Sequence, residues 1–165
     1  MKIFLTGFMG SGKSTVGRVL AQQLGWPFVD LDFEIEKRTS REISTIFKQT
    51  GEPAFRKEER EALYRLDMDP AIVATGGGCF VNNRDWMLSN GLVIYLQVPF
   101  DVLISRVGAD PARPLWRNAE SIFLERQQAY SRAHLSVNAA ATPEEVAVEI
   151  VRLSEEKRLA SLTRP

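Results

Sequence analysis

An apolar stretch at the start of the chain leads directly into a glycine-rich segment, and this junction constrains the fold more than any other feature. Residues 3–6 are IFLT, and residues 7–15 are GFMGSGKST, which matches the pattern G-x-x-x-x-G-K-[S/T]. A helical pattern over residues 16–24 follows. A strand, a glycine-rich loop and a helix in this order predict a phosphate-binding loop (P-loop), in which backbone N–H groups and the helix N-terminus bind phosphate.

The residue types in this loop suggest roles toward a nucleoside triphosphate. We expect Lys13 to reach the β- and γ-phosphates of ATP and the Ser14 hydroxyl to coordinate Mg²⁺. The other predicted nucleotide contacts come from the same loop and the first helical turn: Gly10, Ser11, Gly12 and Thr15. The motif and its position therefore predict a site for ATP and Mg²⁺.

Short apolar runs alternate with longer helical patterns along the chain. This alternation predicts βαβ units and a parallel sheet covered by helices on both faces, which is the α/β class. The expected strands are residues 3–6, 27–30, 72–75 and 92–96, with a weaker one at 135–137. Ligands bind beyond the carboxyl ends of such strands, so we expect the chemistry in the loops after the first four strands.

Two helix starts can be predicted from capping residues. Thr39 with Glu42 forms a capping-box pattern, and Gly51 is suited to end the helix that would follow. Thr142 precedes Pro143 and two acidic residues, which are a cap, a first-turn proline and favourable first-turn charges. We therefore expect the last helix to begin at Pro143.

The overall composition favours one globular domain, residues 1–165, with a small-molecule partner. The 21 basic and 21 acidic side chains leave no net charge to attract nucleic acid or a membrane surface. No stretch approaches the roughly 18 consecutive apolar residues of a membrane span. The lone Cys79 cannot form an internal disulfide, and the N-terminus lacks a targeting pattern, so we expect a cytoplasmic protein. We also expect a monomer.

Two carboxylates, Asp30 and Asp32, stand at the end of the second predicted strand. If the strand geometry continues, both point to one side of the sheet. Asp30 would then hold Mg²⁺ through water or orient an acceptor hydroxyl, and Asp32 would accept hydrogen bonds from the acceptor. Alternatively, either acid caps a helix that starts near Phe33. We favour the first interpretation because phosphoryl transfer needs an acid on the metal side.

Three consecutive glycines, residues 76–78, follow the third predicted strand and allow close approach of the backbone to a ligand. They occur together with the P-loop, DLD at residues 30–32, FRKEE at 55–59 and RPL at 113–115. In this order, across nearly the whole chain, these motifs resemble the shikimate kinase family. The resemblance implies a doubly wound parallel sheet flanked by helices, of the nucleoside-monophosphate-kinase type. It also implies transfer of phosphate from ATP to the 3-hydroxyl of shikimate in aromatic amino-acid biosynthesis.

The resemblance further implies which residues bind the acceptor. Shikimate is an anionic triol, which suits arginines at its carboxylate and an acid at its hydroxyls. The implied contacts are Asp32, Arg56, Gly76, Gly77, Gly78 and Arg126. The assignment of Arg126 stays open, with Arg117 and Arg132 as alternatives, because the segment after Arg113 is shorter than in known family members.

A mobile lid is predicted over about residues 108–118, where glycine and proline stand on both flanks. The resemblance implies a catalytic role for Arg113 beside the transferred phosphate and a nucleotide contact for Arg106. Arg106 could instead cover helix surface with its aliphatic stem. Trp116 would report lid closure through its fluorescence, and residues 160–165 are expected to form a flexible tail.

Other functions are compatible with a P-loop. One is a kinase of another small acceptor, such as gluconate or a nucleoside monophosphate, because related kinases change the acceptor loops. Another is a nucleotide-dependent switch or motor, which the lack of an Asn-Lys-x-Asp motif disfavours. Base selectivity stays open, because no arginine stands near Ala141, where family members often have one. His134 is interpreted as a helix-surface residue, since no partner for a general base is evident.

Overall fold

The computed structural model describes residues 1–108 and 118–162. The predictions for Arg113, Trp116 and Arg117 therefore lie outside the described residues, as does most of the predicted lid. The strands are β1 (Lys2–Thr6), β2 (Phe28–Asp30), β3 (Ala71–Ala74), β4 (Gly91–Gln97) and β5 (Leu135–Asn138). The helices are α1 (Lys13–Leu24), α2 (Leu31–Thr39), α3 (Ile43–Tyr64), α4 (Cys79–Asn90), α5 (Phe100–Val107), α6 (Ala119–Tyr130) and α7 (Pro143–Leu162).

The five strands form one parallel sheet in the order β2-β3-β1-β4-β5, which confirms the α/β prediction. From β1 the chain turns to one side for β2 and β3, and then to the other side for β4 and β5. The direction of winding therefore reverses at β1, and a cleft at the carboxyl end of β1 is the expected ligand site in such a sheet. All five predicted strands are present within one or two residues of their expected bounds.

The central strands are buried almost without interruption because helices cover the sheet. Every residue of β3 is buried, as are residues 3–6 of β1 and residues 93–96 of β4. A sheet covered on both faces needs apolar side chains on both, so these strands lack the alternation of a half-exposed strand. This explains why continuous apolar runs predicted their positions.

The predicted capping box at Thr39 is wrong. Thr39 is the last residue of α2, and its hydroxyl donates to the carbonyl oxygen of Ile35 at 2.8 Å. The N–H of Ile43, the first residue of α3, donates instead to Oε1 of Glu36 at 3.0 Å. The start of α3 is therefore capped from the preceding helix, which the local pattern could not indicate.

Gly51 interrupts α3, with φ 80° and ψ 174°, so the first helical segment does end where the sequence predicted. A second helical segment follows it and carries Arg56 and Glu59 into the site described below. At the last helix the prediction is confirmed, because α7 begins at Pro143 and the side chains of Thr142 and Glu145 bond to each other at 2.8 Å. Residues 163–165 of the predicted tail lie outside the described residues.

Phe8 anchors the P-loop to the apolar core. Its ring is buried and packs edge-on against Phe123 of α6, with ring centroids 5.4 Å apart and an interplanar angle of 89°. The centroid of its ring also lies 6.5 Å from that of Phe100 in α5. Aromatic pairs of this geometry stabilise a core beyond their buried area. One cluster therefore holds together the P-loop and the two helices, α5 and α6, that flank residues 109–117.

His134 lies in the turn before β5 and not on a helix surface, so that interpretation is corrected. Its Nδ1 atom accepts a hydrogen bond from the backbone N–H of Val93 at 3.0 Å. Burial lowers the pKa of its imidazole, and the charge of Lys157 acts in the same direction. A neutral imidazole that caps a strand N–H has a structural role.

Among the described helices, none is both long and apolar enough to cross a lipid bilayer.

Candidate active site

The P-loop adopts the backbone that its glycines permit. Gly10 and Gly12 have φ angles of 80° and 90°, a region that favours glycine, and Gly12 directly precedes the first residue of α1. A Cβ on Gly10 would also come within 2.4 Å of Cγ2 of Val107. Lys13 begins α1, and its Nζ donates to the carbonyl oxygens of Gly7 and Phe8, both at 2.9 Å. The loop and the N-terminus of α1 thus form a concave surface of the kind that binds phosphate.

Asp30 uses its two carboxylate oxygens for different purposes. Oδ1 accepts hydrogen bonds from the N–H groups of Asp32 and Phe33, at 3.2 and 3.5 Å, and caps α2. Oδ2 accepts a hydrogen bond of 2.6 Å from the Ser14 hydroxyl. Asp30 therefore caps α2, which was the alternative interpretation from the sequence, and its other oxygen contacts the P-loop. The strand geometry does not continue to Asp32, because α2 begins at Leu31.

The pair of Ser14 and Asp30 has the chemistry of a Mg²⁺ site. A hydroxyl and a carboxylate are the hard oxygen donors that Mg²⁺ prefers, and this ion is commonly held by one or two protein oxygens together with phosphate oxygens and water. The pair stands at the start of α1, beside the concave surface of the P-loop. These residues therefore fit the ion that accompanies a bound nucleoside triphosphate.

Asp32 directs a buried carboxylate oxygen into the same region. Its Oδ1 atom is buried and has no hydrogen-bond partner in the described part of the chain. Burial raises the pKa of the Asp32 carboxyl, and the neighbouring charge of Asp30 raises it further, whereas Lys13 lowers it. Buried polar atoms in folded proteins nearly always have a partner, so this oxygen is an exception, and it belongs to a residue that lines the cavities described below.

Arg56 is held between two carboxylates of its own helix. Its Nη1 donates to both carboxylate oxygens of Glu59, at 3.1 and 3.0 Å, and Glu59 is fully buried. Its Nε and Nη2 donate to Oε1 of Glu52, at 3.1 and 2.8 Å. Burial raises the pKa of the Glu59 carboxyl to about 7, although the charge of Arg56 opposes the shift. The guanidinium is thus fixed in orientation by a buried partner.

Each glycine of the triplet faces a charged side chain of this site. A Cβ on Gly76 would lie 2.9 Å from Oε1 of Glu59 and 3.0 Å from Oδ1 of Asp32. On Gly77 it would lie 3.2 Å from Nη1 of Arg126, and on Gly78 it would lie 2.5 Å from Nη2 of Arg56. The absence of side chains at these positions therefore lets charged groups from α2, α3 and α6 converge on one loop.

Arg126 of α6 reaches this loop, and Arg132 does not line the cavity there. The structure thus brings together Arg126 with the other predicted acceptor residues, and Arg117 lies outside the described residues. Four residues later on α6, the Tyr130 hydroxyl donates a hydrogen bond to the carbonyl oxygen of Gly77. No role was predicted from the sequence for Tyr130 or for the buried Glu59. Glu59 is the last residue of the motif FRKEE, and the only other signals were the spacing of four residues between Arg126 and Tyr130 and that of three between Arg56 and Glu59.

Two adjacent cavities meet at Asp32 and the glycine loop. The acceptor cavity has a volume of about 450 Å³, and its lining includes Asp32, Phe47, Phe55, Arg56, Glu59, Gly76, Gly77, Gly78 and Arg126. The P-loop cavity has a volume of about 350 Å³ and is lined in part by Gly10, Gly12, Lys13, Ser14, Thr15 and Asp30. Four residues line both cavities: Met9, Asp32, Gly76 and Gly77. A phosphoryl group at the P-loop would therefore lie beside a molecule in the acceptor cavity.

Arg106 lines a third cavity, of about 460 Å³, on the other side of the P-loop. This cavity also includes Thr15, Ala141 and Pro143. The Nη2 atom of Arg106 donates to the carbonyl oxygen of Ala140 at 3.1 Å. The side chain therefore bridges α5 and the loop before α7, at a place where the rest of a nucleotide bound to the P-loop can extend.

Comparison with known proteins agrees with the fold and the motifs. The family model for shikimate kinase matches residues 9–155. A shikimate kinase from Aquifex aeolicus is 39% identical over 158 residues, which cover 92% of this chain and 94% of that protein.

Solved structures give the same result. The crystal structure of the A. aeolicus shikimate kinase has a TM-score of 0.89 at 38% identity and covers 96% of this chain and 99% of that one. A shikimate kinase from Acinetobacter baumannii in complex with shikimate has a TM-score of 0.90 at 34% identity, over 96% of this chain and 94% of that one. The resemblance inferred from the motifs is confirmed: the chain belongs to the shikimate kinase family.

Proposed function

We propose that this chain transfers the γ-phosphoryl group of ATP to the 3-hydroxyl of shikimate, and that the residues described above bind both substrates. The observation that carries the proposal is the shared wall of the two cavities. Asp32 stands between the P-loop on one side and a cavity with two arginines on the other. An anionic polyol in that cavity would have its hydroxyls at Asp32 and its carboxylate toward Arg56 and Arg126.

The acceptor is held by charge complementarity. Arg56 and Arg126 offer guanidinium groups, which bind carboxylates through paired, charge-assisted hydrogen bonds. The apolar wall formed by Phe47 and Phe55, whose rings are 4.8 Å apart, suits the carbon face of a six-membered ring. The relative from A. baumannii is a complex with shikimate, which supports the same acceptor here. Gly76, Gly77 and Gly78 leave room for the ligand beside these charges.

Transfer requires alignment of the acceptor hydroxyl and stabilisation of phosphoryl charge. The Asp32 carboxylate accepts a hydrogen bond from the 3-hydroxyl and directs the hydroxyl oxygen toward the γ-phosphorus. The new O–P bond forms as the bond between the γ-phosphorus and the β–γ bridging oxygen breaks, ADP leaves, and the hydroxyl proton passes to the Asp32 carboxylate. The P-loop N–H groups and Lys13 stabilise negative charge on the phosphates. Ser14 and Asp30 would hold Mg²⁺, which would supply further neutralisation of that charge.

Arg106 and Arg113 are proposed to contact the nucleotide. Arg106 lines the cavity beyond the P-loop, which supports the first assignment. The family pattern RPL at residues 113–115 supports the second, in which Arg113 neutralises charge on the transferred phosphoryl group. Closure of the segment at about 108–118 over the substrates would exclude water from the reaction.

We further propose that the chain acts as a single domain and a monomer in the cytoplasm, without nucleic-acid or membrane partners. The balanced charge of the chain supports this, because it provides no broad electrostatic attraction to either polyanion. Light scattering coupled to size exclusion would test the oligomeric state.

The decisive experiment is a coupled ADP-release assay with MgATP and a panel of acceptors: shikimate, gluconate and nucleoside monophosphates. Saturable ADP release with shikimate alone is expected, together with loss of turnover in the Lys13→Ala variant. Turnover with gluconate or a nucleoside monophosphate but not with shikimate would overturn the proposal. Turnover like that of the parent protein in Lys13→Ala would also overturn the proposal.

A further inference from the structure

Tyr130, at the last position of α6, joins two parts of the acceptor site. Its side chain is fully buried, and its ring stacks on Tyr95 of β4, with centroids 5.0 Å apart and an interplanar angle of 26°. Its hydroxyl donates to the carbonyl oxygen of Gly77, the middle glycine of the triplet. A buried tyrosine hydroxyl requires a partner, and here the partner is the backbone of the loop that lines the acceptor cavity.

Arg126 lies one helical turn before Tyr130, on the same face of α6. Its Nη1 atom is 3.2 Å from the position that a Cβ on Gly77 would occupy. Both side chains therefore end at Gly77, one on its carbonyl oxygen and the other beside its Cα. The hydrogen bond from Tyr130 thus sets the distance between α6 and the glycine loop at the point where Arg126 enters the cavity.

The neighbouring carbonyl groups of this loop have other partners. Gly76 accepts a hydrogen bond from the N–H of Cys79 at 3.0 Å, and Gly78 accepts one from Nδ2 of Asn82 at 2.8 Å. Both of these partners belong to α4, which the loop itself begins. The bond from Tyr130 is different in kind, because it ties the loop to α6, an element 53 residues away in sequence.

We propose that Tyr130 is a positioning residue for acceptor binding: its hydroxyl holds α6 against the glycine loop and thereby fixes Arg126 where it meets the acceptor carboxylate. The inference rests on the proposed function. Burial raises the pKa of the Tyr130 phenol, against the charge of Arg126, so the hydroxyl stays a proton donor throughout the neutral pH range.

The variant Tyr130→Phe tests this directly, since it keeps the stacked ring and removes only the hydroxyl. Tyr95→Phe is the matched control, because it removes the hydroxyl of the ring stacked on Tyr130, and Tyr95 does not line the acceptor cavity. We expect Tyr130→Phe to raise the KM for shikimate roughly tenfold, as the loss of one well-placed contact would. The KM for ATP should change less than twofold, and Tyr95→Phe should leave both constants near those of the parent protein.

Two further measurements separate positioning from a general role in packing. In an Arg126→Ala background, Tyr130→Phe should change the KM for shikimate less than twofold, because the group it positions is absent. The parent protein should also prefer shikimate over its uncharged methyl ester, and Tyr130→Phe should reduce that preference about tenfold. Equal increases in the KM for shikimate and the KM for ATP in Tyr130→Phe would overturn the inference. So would an increase in the KM for shikimate in the double variant that equals the product of the increases in the two single variants.

Failure of Tyr130→Phe to fold would also overturn the inference, because it would show that the hydroxyl serves mainly in stability. These results are distinct from a failure of the proposed function. If the parent protein does not use shikimate at all, the proposed function is wrong. If it uses shikimate and Tyr130→Phe has unchanged constants, only the role of Tyr130 is wrong.

Discussion

A single carboxylate oxygen, Oε1 of Glu52, accepts hydrogen bonds from both Nε and Nη2 of Arg56, at 3.1 and 2.8 Å. Arg56 is the guanidinium to which we assign the acceptor carboxylate. The edge formed by Nε and Nη2 is one at which a carboxylate binds through two parallel hydrogen bonds. Glu52 directly follows Gly51, the residue that interrupts α3. The protein therefore places one of its own carboxylates where the substrate would bind.

We predict that Glu52→Gln lowers the KM for shikimate about two- to fivefold with little change in kcat. The side chain of Glu52 is 48% exposed, so its ion pair with Arg56 is screened by water and its removal has a modest effect. Steady-state kinetics at fixed, saturating ATP would measure this. Glu58→Gln is the control, because it makes the same change of charge on the same helix, at a residue that pairs with Arg38. A higher KM in Glu52→Gln would instead mean that Glu52 supports Arg56.

Asp32→Asn should separate activity from stability. The substitution keeps the shape of the side chain and removes the carboxylate that we propose orients and deprotonates the acceptor hydroxyl, so we expect kcat/KM for shikimate to fall on the order of 100-fold or more. Because burial raises the pKa of Asp32, its charged form is less favourable in the folded chain than in the unfolded chain. The free energy of unfolding of the variant should therefore be unchanged or higher.

Urea unfolding and calorimetry with MgADP would check both parts of this prediction for Asp32. The nucleotide should bind as tightly as it does to the parent protein. Asp85→Asn, at a side chain that is 88% exposed, provides the same chemical change outside the site. A marked loss of MgADP affinity or of stability in Asp32→Asn would contradict the assignment.

Gly78→Ala should displace Arg56 without straining the backbone. Gly78 has φ −96° and ψ −7°, which alanine adopts readily, but its Cβ would lie 2.5 Å from Nη2 of Arg56. The guanidinium must therefore move, and we expect the KM for shikimate to rise roughly tenfold while MgADP binding is unaffected. Kinetics, together with a thermal melt to confirm folding, would test this. An unchanged KM would show that Arg56 can move and still bind the acceptor.

Glu59 should make the stability of the protein fall as pH rises from 4.5 to about 7. Its pKa is about 7 in the folded protein and 4.5 for an ordinary glutamate, so between these values the folded chain keeps a proton that the unfolded chain has released. The contribution is complete below pH 4.5 and is lost as pH passes 7. The difference between the two pKa values corresponds to about 3 kcal/mol in the free energy of unfolding.

Denaturant unfolding at several pH values, for the parent protein and Glu59→Gln, would measure this contribution. Glutamine cannot titrate, so the difference in unfolding free energy between the two proteins should change by about 3 kcal/mol from pH 4.5 to pH 8, to the disadvantage of the parent. The other acidic groups titrate in both proteins and cancel in the comparison. If the unfolding free energies of the two proteins differ by the same amount at every pH, the pKa of Glu59 is not raised in the folded protein.

Features encoded in contiguous residues could be predicted from the sequence. The P-loop is such a feature, because the positions of Gly10 and Gly12 permit a backbone that few other residues adopt, and the strand before it needs only a continuous apolar run. The start of α7 is another, since Thr142 and Pro143 act within one helical turn. In these cases the interacting groups are close in sequence, and their chemistry decides the local structure.

The convergence of the acceptor site was decided by tertiary structure. Arg126 and Tyr130 lie about 50 residues beyond the glycine triplet, and their contact with Gly77 depends on how α6 packs against the core. The predicted cap at Thr39 failed for the same reason, because a glutamate from the preceding helix satisfies the N–H of Ile43. A local pattern specifies which groups a segment offers. The packing of the helices decides which distant groups these groups meet, and no short segment encodes the orientation of the helices. The same packing decides whether a group is buried and its pKa is shifted, as is the case for Glu59.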